Sequence, residues 1–126
     1  MGQKLLLLAL AGACGTLARY GVANMVQRWT GPAFPWGTFA VNAIGCFLFG
    51  LLWALFEHRH ATLGALRVAA LAGFLGSFTT FSSFAHDTGA LLRGSEWGLA
   101  LLNVTGQNLV GLCALFGGVA VARLLA

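Results

Sequence analysis

The sequence predicts an all-α membrane protein of four transmembrane helices, the third of them broken in mid-membrane. Three observations lead there. Hydrophobic residues make up 59% of the 126-residue chain and charged residues only 8%, too few ionisable groups to cover a soluble surface. Four apolar runs, at about 5–26, 36–56, 68–92 and 97–121, take up nearly the whole chain and leave no soluble module. Each reaches the roughly 20 residues that a ~30 Å hydrocarbon core requires at ~1.5 Å rise per residue. The third run contains Gly-Phe-Leu-Gly-Ser-Phe-Thr-Thr-Phe-Ser-Ser-Phe at 73–84, which puts two glycines, five hydroxyl residues and four phenylalanines at bilayer depth. Hydrocarbon offers no partner for a free backbone N–H or C=O, so a break there persists only where protein or a water-filled path covers it. Discontinuous membrane helices use exposed carbonyls for cations and helix ends for anions, which makes ion handling the first functional expectation.

The first run begins Met1-Gly2-Gln3-Lys4 before Leu5–Leu8 and a small-residue patch, and so imitates a secretory signal. Its apolar character continues to Val26, longer than a signal core, so this helix is expected to stay in the mature protein. Ala11, Gly12, Ala13 and Gly15 would let another helix approach closely. Arg19, about two turns from the end of the run, either snorkels to the headgroups or points into an aqueous vestibule. The loop at 28–35 holds Gly31, Pro32 and Pro35 and must be non-helical.

In the second run Thr38, Asn42 and Gly45 fall at i, i+4 and i+7, so one helical face carries a hydroxyl, a carboxamide and a gap. An amide at that depth needs a partner, either another helix or a conducted species. The following Glu57-His58-Arg59-His60 segment reads as a solvated edge, with no converging carboxylates for a metal.

If helix resumes after the break in the third run, Phe81 and Phe84 share a face, with Thr80 and Ser83 beside them. Aromatic edges carry the positive end of the ring quadrupole, so ring edges and hydroxyls together can hold a small hard anion without a full positive charge that would trap it. His86 and Asp87 lie farther along, vestibular or merely interfacial. The fourth run places Asn103, Gln107 and Gly111 four apart, a second polar face available to meet that of Thr38 and Asn42.

Trp29, Trp36, Trp53 and Trp97 lie at or near run ends, where indoles favour the membrane interface. Cys14, Cys46 and Cys113, odd in number and without metal-binding spacing, read as small buried thiols. The net charge of +4 is scattered one residue per loop, a pattern of headgroup anchors rather than of nucleic-acid binding. With four spans, Lys4, Arg59, Arg67 and Arg123 fall on one side against Arg28, Arg93 and Arg19 on the other, a bias too weak to fix one orientation. Two copies inserted oppositely would be related by a two-fold axis in the membrane plane, and a helix break on that axis would present the same carbonyls twice to one central cation.

The segments Gly-Ala-Cys-Gly-Thr-Leu-Ala-Arg-Tyr at 12–20, Gly-Thr-Phe-Ala-Val-Asn-Ala-Ile-Gly at 37–45 and the 73–84 motif resemble the Fluc fluoride channels of bacteria, also called CrcB proteins. The resemblance extends over all four spans. It implies an antiparallel, dual-topology homodimer in the inner membrane that exports fluoride passively through two pores. It also implies residue roles. Asn42 matches the polar asparagine beside the pore and Thr38 the hydroxyl one turn earlier. Phe81 and Phe84 match the two rings that line the fluoride path, with Ser83 at a hydroxyl position. Arg19 matches the arginine near the entrance, and the backbone carbonyls of Gly76 and Thr79 match those that hold a structural sodium ion from both subunits. On the fourth helix Asn103 fits the family pattern, whereas Gln107 is a bulkier amide than the family's usual serine.

A competing class is the small dual-topology multidrug exchanger, which has the same size and span count but needs an intramembrane carboxylate; Asp87 is the only acidic residue within a run. No nucleophile–base pair or metal constellation suggests an enzyme.

Overall fold

The computed structural model describes residues 1–57 and 64–125, and the His58–Arg59–His60 segment lies outside the described residues. Every regular element among these is helical. Helix α1 spans Gly2–Thr30, α2 Trp36–Glu57 and α5 Trp97–Leu125. Between α2 and α5 the third span has two arms, α3 (64–78) and α4 (Phe81–Arg93). All four spans are long and apolar enough to cross a membrane.

The α1–α2 turn is closed by one side chain. Gly31 takes φ +83°, a left-handed conformation glycine adopts without strain, and its N–H reaches back to the Gln27 carbonyl. The Gln27 carboxamide then donates to the carbonyls of Gly31 and Phe34 and accepts the Gly37 N–H at 3.0 Å. Phe34, nearly buried, packs its ring 4.7 Å from that of Trp36.

The span crossed by the third run is irregular in two ways. Ala69–Leu75 is π-helical, a wider winding often found at functional positions in membrane and soluble helices. After a last α-helical stretch, Gly76–Phe78, the chain becomes extended at Thr79 (ψ 156°) and Thr80 (φ −149°) before α4 starts at Phe81. The break is therefore two residues long, shorter than the glycine and hydroxyl content suggests. Helix persists through Ser77 and Phe78 because the Leu75 carbonyl accepts both the Thr79 N–H and the Thr79 hydroxyl, each at 3.0 Å.

Small residues set the packing. A methyl at Gly50 or Gly118 would overlap the carbonyls of Leu115 and Phe47, so α2 and α5 touch backbone to backbone. A methyl at Gly15 would overlap the Phe74 carbonyl, and Gly12 faces the Ser77 hydroxyl, so the small patch on α1 is the seat of α3. Large apolar side chains such as Leu17, Leu101, Leu109 and Leu124 stay exposed on the outside, as a lipid-facing surface requires. Two cysteines depart from the sequence reading: Cys14 and Cys113 are exposed and only Cys46 is partly buried. Lying in an apolar run does not bury a thiol in protein when the surrounding solvent is itself hydrocarbon.

Candidate functional site

The break exposes backbone groups that a continuous helix would have paired, and two side chains from other helices, with one from the break itself, claim several of them. Asn42 on α2 faces Thr80: its Oδ1 accepts the Thr80 N–H at 2.8 Å and its Nδ2 donates to the Thr80 carbonyl at 3.2 Å. The carboxamide thus stands in for the missing helical partners of one whole residue. Arg19 on α1 donates from Nε to the Ser77 carbonyl at 3.1 Å. It therefore turns inward to the break instead of snorkelling to the headgroups, and its charge sits at the carbonyl end of α3, where a cation is favoured. Thr79 has its hydroxyl on Leu75 and its methyl in the space left by Gly45, where any larger residue would collide. The α2 face of Thr38, Asn42 and Gly45 is thus the one that meets the third span.

Three carbonyls remain: among the described residues no hydrogen bond is found to the oxygens of Gly76, Phe78 or Thr79, whereas those of Leu75, Ser77 and Thr80 are all engaged. Of the three residues, Gly76 and Thr79 line the cavities on either side of the break. Two carbonyl oxygens suit a hard cation in chemistry but fall short of its usual number of ligands, so one chain supplies only part of such a set.

Helix α4 is launched by Thr80, whose hydroxyl caps it by accepting the Ser83 N–H at 3.1 Å and also donates to the Ser83 hydroxyl at 3.0 Å. On the first turn Phe81 and Phe84 come together with ring centroids 5.4 Å apart and planes tilted by 47°. Both rings line a cavity of about 350 Å³ whose polar edge includes Asn42, Thr79, Thr80 and Gln107. Phe81 is 79% exposed in the single chain.

The remaining candidate residues divide about α4. Thr38 and Ser83 lie on its other side, in a cavity of about 180 Å³ shared with Arg19, Thr16 and Asn24. The Thr38 hydroxyl donates to Asp87 Oδ2 at 2.6 Å, and His86 Nδ1 stands 3.5 Å from Asp87 Oδ1. Asn103 lines neither cavity. It is fully buried, donates to the Thr88 hydroxyl at 3.0 Å and accepts from Gln107 Nε2 at 3.0 Å. Gln107 Oε1 in turn accepts from Asn42 Nδ2 at 2.7 Å, so the polar faces of α2 and α5 join there.

A family profile described as "CrcB-like protein, Camphor Resistance (CrcB)" matches residues 6–119. The chain belongs to the CrcB family. Among its CrcB relatives, a protein of Nitrosococcus oceani named "Fluoride-specific ion channel FluC" is 50% identical over 125 residues, 99% of this chain and 100% of that one. A relative of the same name from Desulforapulum autotrophicum is 48% identical over 125 residues, again 99% and 100% of the two chains. One from Thermus thermophilus is 47% identical over 116 residues, 92% of each. With four membrane-length helices and channel-named relatives along its whole length, this CrcB protein is a multi-pass membrane protein.

Several contributors to the architecture of this CrcB protein do not stand out in its sequence. Gln27 sits in an ordinary polar helix end, and Thr88 looks like any interfacial threonine until α5 brings Asn103 to it. Cys46, one turn beyond Asn42, lines the cavity of the two rings.

Proposed function

We propose that this chain forms a fluoride-specific channel that lets fluoride leave the bacterial cell passively across the inner membrane. The observation that carries the reading is the pairing of Phe81 and Phe84 around one cavity with amide and hydroxyl groups at the start of α4. Fluoride is small and strongly hydrated, so it must exchange water for several donors at once. Ring edges offer weak positive potential, amide and hydroxyl hydrogens offer stronger but neutral contacts, and the α4 N-terminus adds its dipole. Among the described residues no full positive charge lines that cavity, so the ion would be held without being trapped. The names of the relatives support the choice of fluoride over other anions.

The working unit is an antiparallel homodimer of two pores in a lipid bilayer, with a structural sodium ion at its centre. The Gly76 and Thr79 carbonyls from one chain would supply half of the sodium ligands and the oppositely inserted copy the other half. That those two carbonyls have no hydrogen-bond partner among the described residues, and the large exposure of Phe81 in the single chain, support this arrangement. Sodium would supply a fixed positive charge that joins the two broken helices, and the residues of this chain orient its ligands: Gly45 seats Thr79, and Arg19 and Asn42 occupy the neighbouring carbonyls.

The test is ion efflux from liposomes containing the purified protein. Rapid fluoride release with chloride largely retained is the expected result; comparable chloride release counts against the proposal.

A further inference from the structure

Spacing alone puts three residues of α4 on one face: Phe84 lies three positions and Thr88 seven positions beyond Phe81, so the threonine hydroxyl stands one turn past the two rings. Little else seats this helix. No residue of Phe81–Arg93 is buried in the single chain, so α4 lacks the buried apolar stripe by which a helix is ordinarily held. At its root Thr79 and Thr80 are extended, which interrupts the helical ladder that would tie α4 to α3. Polar contacts therefore carry the placement of the rings. Asn42 grips the root at Thr80. About two turns farther, adjacent residues reach two different helices: Asp87 accepts from Thr38 on α2 at 2.6 Å, and Thr88 meets Asn103 on α5 at 3.0 Å.

These two outer contacts differ in what could replace them. Asp87 lines an open cavity with Glu96 and Gln27, where water can take the place of the Thr38 hydroxyl. The contact of Thr88 is closed to water. The Phe84 carbonyl only accepts, so it takes the single hydroxyl hydrogen of Thr88, at 2.8 Å. The Thr88 oxygen is left with lone pairs alone, so the Asn103 atom facing it is the donor Nδ2, and Oδ1 is turned to Gln107. Asn103 is fully buried, and its N–H would have no other partner there. A hydroxyl bonded to the carbonyl four residues back also favours a bend in its own helix, here at the turn that carries Phe84.

We infer that Thr88 is a positioning residue for the two rings: clasped by buried Asn103, it fixes the rotation of α4 and hence the angle at which Phe81 and Phe84 face their cavity. This rests on the fluoride-channel reading and adds to it what keeps the rings in place. Thr88 lines none of the cavities beside α4 and acts only through Phe84. Rings fixed at 5.4 Å and 47° do not open to fit a larger halide, so the clasp contributes to the choice of fluoride over chloride.

The test is fluoride and chloride efflux from liposomes, scored per folded channel. Thr88→Val keeps the shape of the side chain and removes both hydroxyl contacts. The ratio of fluoride to chloride flux should fall about tenfold, the equivalent of about 1.4 kcal/mol of differential binding. A purely structural role would lower the yield of folded protein and leave that ratio unchanged, and this result overturns the inference. Thr88→Ser restores the hydroxyl and should restore the ratio; a ratio as low as that of Thr88→Val would refute the assignment. Thr105→Val is the control, because that exposed hydroxyl bonds only to the Leu101 carbonyl of its own helix, and an equal fall there would also refute it. Should Thr88→Val fail to elute from size exclusion as wild type, Thr88→Ala decides, since the smaller side chain leaves room for water at Asn103: a wild-type ratio refutes the clasp. Wild-type protein that passes no fluoride sinks the channel reading itself, whereas a selective wild type with an unaltered ratio in Thr88→Val sinks only this inference.

Discussion

Removing the Asn42 carboxamide should cost this protein more than an ordinary interhelical hydrogen bond. Asn42→Ala leaves the Thr80 N–H and the Thr80 carbonyl without partners at a depth where neither can find water freely, and it strips Gln107 Oε1 of its donor. An unsatisfied buried polar group costs about 1–3 kcal/mol. Because Asn42 is only half-buried, the lower part of that range applies, and the two backbone groups together give a loss of about 2–4 kcal/mol. Asn42→Asp should be at least as damaging, since a carboxylate still accepts the Thr80 N–H but sets two further acceptors, the Thr80 carbonyl and Gln107 Oε1, against a negative charge. The assay is unfolding in detergent micelles, referenced to wild type, with fluoride flux per folded channel measured in parallel. Val41→Ala is the control: Val41 is fully buried, so its truncation lowers stability by lost packing and should leave flux per folded channel intact. A loss for Asn42→Ala below about 0.5 kcal/mol, the range of a neutral surface change, would refute the view that this side chain replaces the helical partners of Thr80.

Two neighbouring glycines offer a contrast within one helix. Gly118→Ala drives a methyl into the Phe47 carbonyl and should destabilise by about 1–3 kcal/mol through overpacking, whereas Gly117→Ala meets nothing within 4 Å and should be neutral or slightly stabilising; equal effects in an unfolding assay would contradict the backbone contact of α2 and α5. At the break, Gly76→Ala adds a methyl with only the Leu71 carbonyl near it, at 3.8 Å, and leaves the backbone oxygen in place. On the proposed sodium-bridged dimer, the sodium content of the purified protein, measured by elemental analysis, should be unchanged in that variant, and its loss would contradict the proposal that the backbone carbonyl holds the ion.

Some of this architecture was legible in the residues. Run length marked the four spans, because a helix in hydrocarbon needs a fixed number of apolar residues whatever it packs against. The glycine and hydroxyl content at 73–84 marked the third span as irregular, but not where it opens. That depends on Thr79 bonding back to Leu75 and on Asn42 reaching Thr80, contacts made across 4 and 38 positions of sequence. The face of Thr38, Asn42 and Gly45 was visible as a helical period; that it meets Asp87, Thr80 and Thr79 was not. Arg19 had two placements of equal standing until the Ser77 carbonyl appeared beside it. The π-helical winding of Ala69–Leu75 left no signal among ordinary apolar residues, and the cysteine reading failed because apolarity of a run says nothing about which side faces lipid.

The central claim is that ring edges at the head of α4 carry the anion. Phe81→Ile and Phe84→Ile keep bulk and hydrophobicity while removing those edges, and fluoride efflux from liposomes reads the consequence. The account predicts that each substitution cuts the flux while the dimer stays intact on size exclusion. Flux at the wild-type rate in both variants would contradict it.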